Sequence, residues 1–203
     1  MIPTHPQSDR GSTLPIYIWL TGILLFAAVA FFAFAQAASA RNGAQSAADA
    51  AALAAAQDAR DELMEGLGTA IGADDNWLDW LDGDQFEGVG ATAAAQQLAG
   101  ENDSTVLQGG AQPTTIGGFP GFRVAIETNY TVGDSIIPGT ENKHAKAHAT
   151  AVIEPRCDFA PDADPTELVT LDCAGDPVDI DPEDFDLDDL PDASVLFSVH
   201  LAE

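Results

Sequence analysis

The chain has 203 residues, room for one ordinary domain and an anchor but not for two full domains. Seven Lys and Arg face 33 Asp and Glu, giving a formal net charge of -26 and a pI near 4.1. That balance argues against nucleic acid as a partner, because phosphate binding needs cations to displace counterions, and against a surface that lies on anionic lipid.

The charge is unevenly spread. Residues 14–35 hold none, and almost every acid lies after residue 57. Residues 1–13 read as a short N-terminal segment on the cytoplasmic side. Leu14 to Ala35 then form an uninterrupted apolar run. As a helix, this run would be about 33 Å long, enough to cross a hydrocarbon core of about 30 Å. Pro15 falls in the first turn, where its missing N–H costs little. Tyr17 and Trp19 lie near the starting end, where interfacial aromatics belong. Three other readings compete: a secretory signal cleaved after Ala38-Ser39-Ala40, a buried core helix, and a cleavable leader ending at Gly11. Arg10 and Arg41 flank the run and hardly discriminate its orientation. The cysteines and the acidic bulk favour the N-terminus inside and the C-terminal part outside the cell.

From Gln36 to Met64 alanine dominates, no proline interrupts, and Asn42-Gly43 is the one soft spot. Gly66 and Gly68 read as a stop. A single helix is therefore expected from Leu14 to about Glu65, on the order of 80 Å long. Residues 36–67 read as an alanine-rich stalk. Its small faces, Ala47, Ala51, Ala54 and Ala55, suit close helix approach, with Leu53 and Leu63 as the few large anchors. The stalk either stands alone or packs against a partner helix.

These residues carry a family resemblance. Arg10-Gly11-Ser12, the apolar run, and Gln45-Ser46-Ala47-Ala48-Asp49-Ala50-Ala51-Ala52-Leu53-Ala54 together resemble the N-terminal signature of TadE/TadG-like proteins, in their actinobacterial form, over residues 10–56. The resemblance implies a pilin-like or assembly protein of Flp (tight adherence) pili, held in the cell membrane, with other pilus proteins as partners through the helix. It makes Gly11 and Ser12 the processing candidates and Asp49 the family-type acid. True prepilins carry a Glu five residues after the cleaved Gly, and here that position is Ile16. This departure argues against processing and polymerisation as a major subunit, and for a retained accessory role.

Residues 68–203 read as an acidic extracellular α+β domain with an antiparallel sheet. Trp77 and Trp80 read as anchors of stalk to domain or as a binding patch. Thr92–Ala99 reads as a helix, and Ser104–Leu107 as a short strand. Phe122–Val132 alternates strongly, with Val124, Ile126, Tyr130 and Val132 on one side. Lys143–Glu154 alternates again, with Ala145, Ala147, Ala149, Ala151 and Ile153 on one side and His144, Lys146 and His148 on the other. The two form an antiparallel hairpin around a turn region holding Pro138-Gly139. Phe197, Val199 and Leu201 give a last strand.

Cys157 and Cys173 read as a disulfide in an oxidising compartment, or else as two free thiols. His144 and His148 would lie about 13 Å apart on a strand, too far for one ion. The run Asp176–Asp192 lacks the Gly and Glu of an EF-hand and reads as a solvated, extended acidic loop, with weak cation binding as the alternative. Gly109-Gly110 and Gly117-Gly118 are turn signals, and neither belongs to a phosphate-binding loop. No nucleophile arrangement, metal site or cofactor motif stands out, so the chain is expected to be a non-enzyme. A membrane-tethered module that binds a ligand or cation is the rival reading.

Overall fold

A single helix, α1 (Leu14–Ala70), runs through more than a quarter of the chain. At about 1.5 Å per residue it is roughly 85 Å long. The computed structural model describes residues 13–73, 76–131 and 142–202. Pro15 occupies the first turn of α1. The helix passes through Asn42-Gly43 and through the expected stop at Gly66 and Gly68 without a break. It ends where Ile71 turns extended and Gly72 adopts φ +75°. The expected end at Glu65 is thus corrected by about a turn. Gly66 and Gly68 are there for neighbouring side chains: a Cβ at Gly66 would collide with the Trp80 ring, and one at Gly68 would come within 2.7 Å of Leu187.

After α1 come a 3-10 turn (Trp77–Asp82), α2 (Ala91–Glu101) and three strands, β1 (Ser104–Val106), β2 (Gln112–Ile116) and β3 (Phe119–Thr131). Then follow β4 (His144–Pro155), β5 (Cys157–Asp158), β6 (Val169–Cys173), β7 (Asp176–Ile180), a second 3-10 turn (Leu187–Asp189), α3 (Ala193–Leu196) and β8 (Phe197–Leu201). The main sheet is antiparallel in the order β1-β3-β4-β8, with β2 also pairing to β3. β5, β6 and β7 form a separate small sheet. The fold is α+β, with the long apolar helix preceding an antiparallel head, in line with the sequence reading.

The alternation of the central hairpin sets its two faces. Phe122, Val124, Ile126 and Thr128 of β3 are buried, as are Ala149, Ala151 and Ile153 of β4. These residues face α1, which packs along β4, β3 and β8. Alanines meet alanines across this contact, so helix and sheet approach closely. Arg123, Lys146 and His148 lie on the exposed face. Tyr130 still meets α1 at Gly43 but is 39% exposed, beyond the point where the register shifts between Glu127 and Thr131. Val132 and the Pro138-Gly139 turn lie outside the described residues.

The stretch read as an alanine-rich stalk packs into the head. Ala44, Ala47, Ala48, Ala51, Ala52, Ala55, Ala56 and Ala59 have no exposed surface and belong to the head's own core, with Leu63 and Leu67 below them. Residues 40–71 are the central helix of the head and share one core with residues 77–197. The acidic run is also more ordered than a solvated loop. Asp176–Ile180 is a strand with Ile180 buried, and Asp186 caps the 3-10 turn after it in a reciprocal capping box.

Candidate functional site

The functional feature of the molecule is the change of surroundings along α1. From Leu14 to Phe34 the large apolar side chains stand exposed on every side, Trp19 at 73% and Phe34 at 81%. No other described element covers them. Gly22 has nothing within 4 Å of a notional Cβ. This half of α1 is long and apolar enough to cross a membrane. Ala40 is the first buried residue, and from there the helix is clad by its own head. Apolar surface of this extent in water would drive association, whereas lipid satisfies it on all sides.

The junction between the two halves is held by polar contacts. Gln45 Nε2 donates to Asp49 Oδ1 at 2.8 Å and reaches the His148 carbonyl of β4 at 3.4 Å. Asp49 is therefore held by Gln45 one turn earlier. Further along α1, the Glu62 carboxylate accepts from the backbone N–H groups of Glu87 and Gly88, at 2.8 and 2.9 Å. This clamps the loop that leads into α2. Asp58 lies against Gly90, at the start of α2. Burial first, then the negative charges of Asp61 and Glu62, push its carboxyl above the usual carboxylate range. On the exposed sheet face Lys146 Nζ sits 2.9 Å from Glu127 Oε2, and this hydrogen bond holds Glu127 below its ordinary value.

The residues expected to pack against partners are placed as follows. Ala47 and Ala51 are fully buried and Ala54 is 9% exposed, all inside the head, while Leu53 is partly buried. They are not available to a partner helix in this fold, and that expectation is corrected. The reason is the small, alanine-lined face of β4, which the sequence could not place opposite them. Gly11 and Ser12 lie outside the described residues. Ile16 is an exposed apolar residue of the first turns of α1.

The tryptophans serve the core. Trp77 is fully buried and donates from Nε1 to the Pro165 carbonyl at 2.8 Å, and Trp80 lies over Gly66. A shallow groove of about 550 Å³ lies beside Trp80, edged by Glu62, Glu65, Thr69 and Gln85. Cys157 and Cys173 are joined by a disulfide between directly opposed residues of β5 and β6. Among the described residues, no group of three or more His, Cys, Asp or Glu is placed to hold a metal ion. The contribution of Gln45, Glu62 and Tyr130 was not foreseen from the sequence. All three lay within stretches already singled out there, but nothing in the sequence paired them with the partners that give them their roles.

The geometry defines an α+β head carried on one N-terminal helix that fits a single membrane span. Residues 11–58 of the chain match the family model described as putative Flp pilus-assembly TadE/G-like. This match to a TadE/G-like model supports involvement in Flp pilus assembly and association with a membrane. No curated protein and no solved structure matched the chain. The matched segment takes in the exposed half of α1 and the alanine-rich part buried in the head.

Proposed function

We propose that the chain is a membrane-anchored, pilin-like or accessory component of Flp-type pilus assembly, without enzymatic activity. In this reading its N-terminus is cytoplasmic and its acidic head lies outside the cell. The observation that carries the reading is the coincidence of the family match with the two environments of α1. The disulfide agrees with a head on the oxidising side of the membrane. Because the alanine face is occupied internally, contacts with partner helices fall to residues 14–39. Lateral packing within the bilayer is the mechanism this leaves.

The test joins phenotype to contact. Deleting the gene should abolish or thin Flp-type pili, and the full chain should restore them. A photo-crosslinker at Phe26 or Phe31 should then trap another pilus-assembly subunit in the membrane fraction. Normal piliation in the deletion strain, with no adduct from either position, would refute the reading.

A further inference from the structure

We propose that the membrane-facing rim of the head, formed by Arg41, Tyr130 and Lys143, docks on the anionic phosphate headgroups of the bilayer that α1 spans. The proposal rests on reading residues 14–35 as the span. It commits to a lipid surface because of how little helix separates the span from the head. Ala35 ends the apolar run and Ala40 is already buried. Five residues of helix are about 7.5 Å. A headgroup layer is roughly 5–8 Å thick on each side of the hydrocarbon core. The head therefore begins where the headgroups end, with no free stalk between.

The topology identifies the residues at that end. Gln45 touches the carbonyl of His148, midway along β4. The far end of β4, Pro155, lies beside Gly83, which follows the Trp80 that covers Gly66. β4 therefore runs in the same sense as α1. Four and five residues back from His148, about 13 and 17 Å along the strand direction, are His144 and Lys143. They lie at the end that faces the bilayer. Thr131, the last residue of β3, pairs with His144. Tyr130 beside it presses its hydroxyl so closely on Gly43 that a Cβ there would collide with it. Arg41 and Lys143 are exposed, and Tyr130 is 39% exposed. An amphipathic aromatic at the same end of the head as two exposed cations suits the headgroup level.

Charge along the molecule points the same way. Between Cys157 and Asp192 there are fourteen acids and no Lys, Arg or His. All fourteen are exposed. This segment packs on the opposite end of the head's helix: Pro182 O is 2.9 Å from a notional Cβ on Gly72, and Leu187 lies over Gly68. Towards the membrane end the described acids are Asp49, which Gln45 engages, Glu101 and Asp103, at the close of α2, and Glu127, which Lys146 engages. Asp103 precedes β1, two strands away from β4. A net charge of -26 argues against lipid contact by the molecule as a whole, but it is polarised. An anionic surface repels the acidic end and attracts the rim, which orients the head.

Spin labels on the full chain in nanodiscs test this, the native disulfide leaving only introduced cysteines to react. Labels at Leu24→Cys, Asn142→Cys and Asp184→Cys report the span, the rim and the far end by collision with a water-soluble nickel complex. In discs containing phosphatidylglycerol, collision at position 142 should be several-fold lower than at 184. Adding Arg41→Glu and Lys143→Glu should bring it within twofold of 184. Equal access at 142 and 184, or shielding unaffected by charge reversal, overturns the rim proposal while a lipid-buried label at 24 leaves the span intact. A water-accessible label at 24 overturns the span itself.

Discussion

Replacing Gly66 by alanine gives a prediction in which local and tertiary effects have opposite signs. Gly66 lies inside α1 with an ordinary helical backbone, so alanine should stabilise the helix by about 1 kcal/mol. The added Cβ would, however, collide with three ring carbons of Trp80. Forcing a methyl into a filled contact costs typically about 1–3 kcal/mol, and here the ring must swing off the helix. The net expectation is a loss of up to about 2 kcal/mol, the overpacking cost less the helix gain. The same change in a Trp80→Ala background should turn favourable by about 1 kcal/mol, because the obstacle has gone. Urea denaturation of the four proteins in one detergent forms a double-mutant cycle with a coupling of about 1–3 kcal/mol, the overpacking cost. Gly100→Ala, with nothing within 4 Å of its Cβ, is the control and should stabilise modestly. A Gly66→Ala protein more stable than the parent would refute the packing argument and return Gly66 to the role of a frayed helix end.

Other expectations follow from the same contacts. Reducing the Cys157–Cys173 disulfide, which closes a separation of 16 residues, should cost about 3 kcal/mol in the chain-entropy model and lower the melting temperature measured with and without reductant. Glu62→Ala removes the acceptor of two backbone N–H groups and should cost about 1–2 kcal/mol in chemical denaturation, with faster amide exchange at Glu87 and Gly88. The raised carboxyl of Asp58 favours its neutral form in the fold, so its contribution to stability is greatest below the unfolded carboxyl range and is lost as pH rises through the folded value. Asp58→Asn should therefore stabilise at pH 7, by at most about 1 kcal/mol for two relieved like-charge pairs, with the gain vanishing in melts near pH 3. Glu127 has the opposite sign: its depressed carboxyl contributes above the unfolded range and loses that contribution on acidification. Lys146→Met should move the Glu127 titration upward by NMR.

The sequence made the long helix and the central hairpin legible because both follow from local rules. An apolar run followed by alanine needs no tertiary partner to read as helix, and Val124, Ile126 and the alanines of β4 alternate with polar residues as a half-buried hairpin must. Where the reading missed, the cause was tertiary. Gly66 and Gly68 look like a stop, yet they make room for Trp80 and Leu187. Gln112–Ile116 carries Pro113 and no alternation, and it becomes a strand because the turn at Gly117 and Gly118 folds it back on β3. Cys157, Val169, Leu171 and Ile180 lie among prolines and acids that suggest a loop. The disulfide and the tight turn at Ala174-Gly175, both with positive φ, gather them into a second sheet.

The alanine stretch illustrates the deeper ambiguity. A helix face of small residues permits close approach, and nothing in its composition says whether a partner helix or its own sheet does the approaching. Here Ala44, Ala51, Ala52, Ala55 and Ala59 are all sealed, and the surfaces opposite them include Ala149 and Ala151 of β4. The alternatives differ in what a larger side chain would do. If the alanines served a partner, Ala51→Leu would leave the isolated chain as stable as before and weaken assembly only. Buried as they are, the added carbons have no space, and the change should destabilise the monomer by about 1–3 kcal/mol or more. Unaltered melting of the Ala51→Leu protein in detergent would show that the head does not close on the helix as described. With the monomer destabilised, the proposed lateral packing in the membrane would be left to the other half of α1, where no described head residue covers the surface.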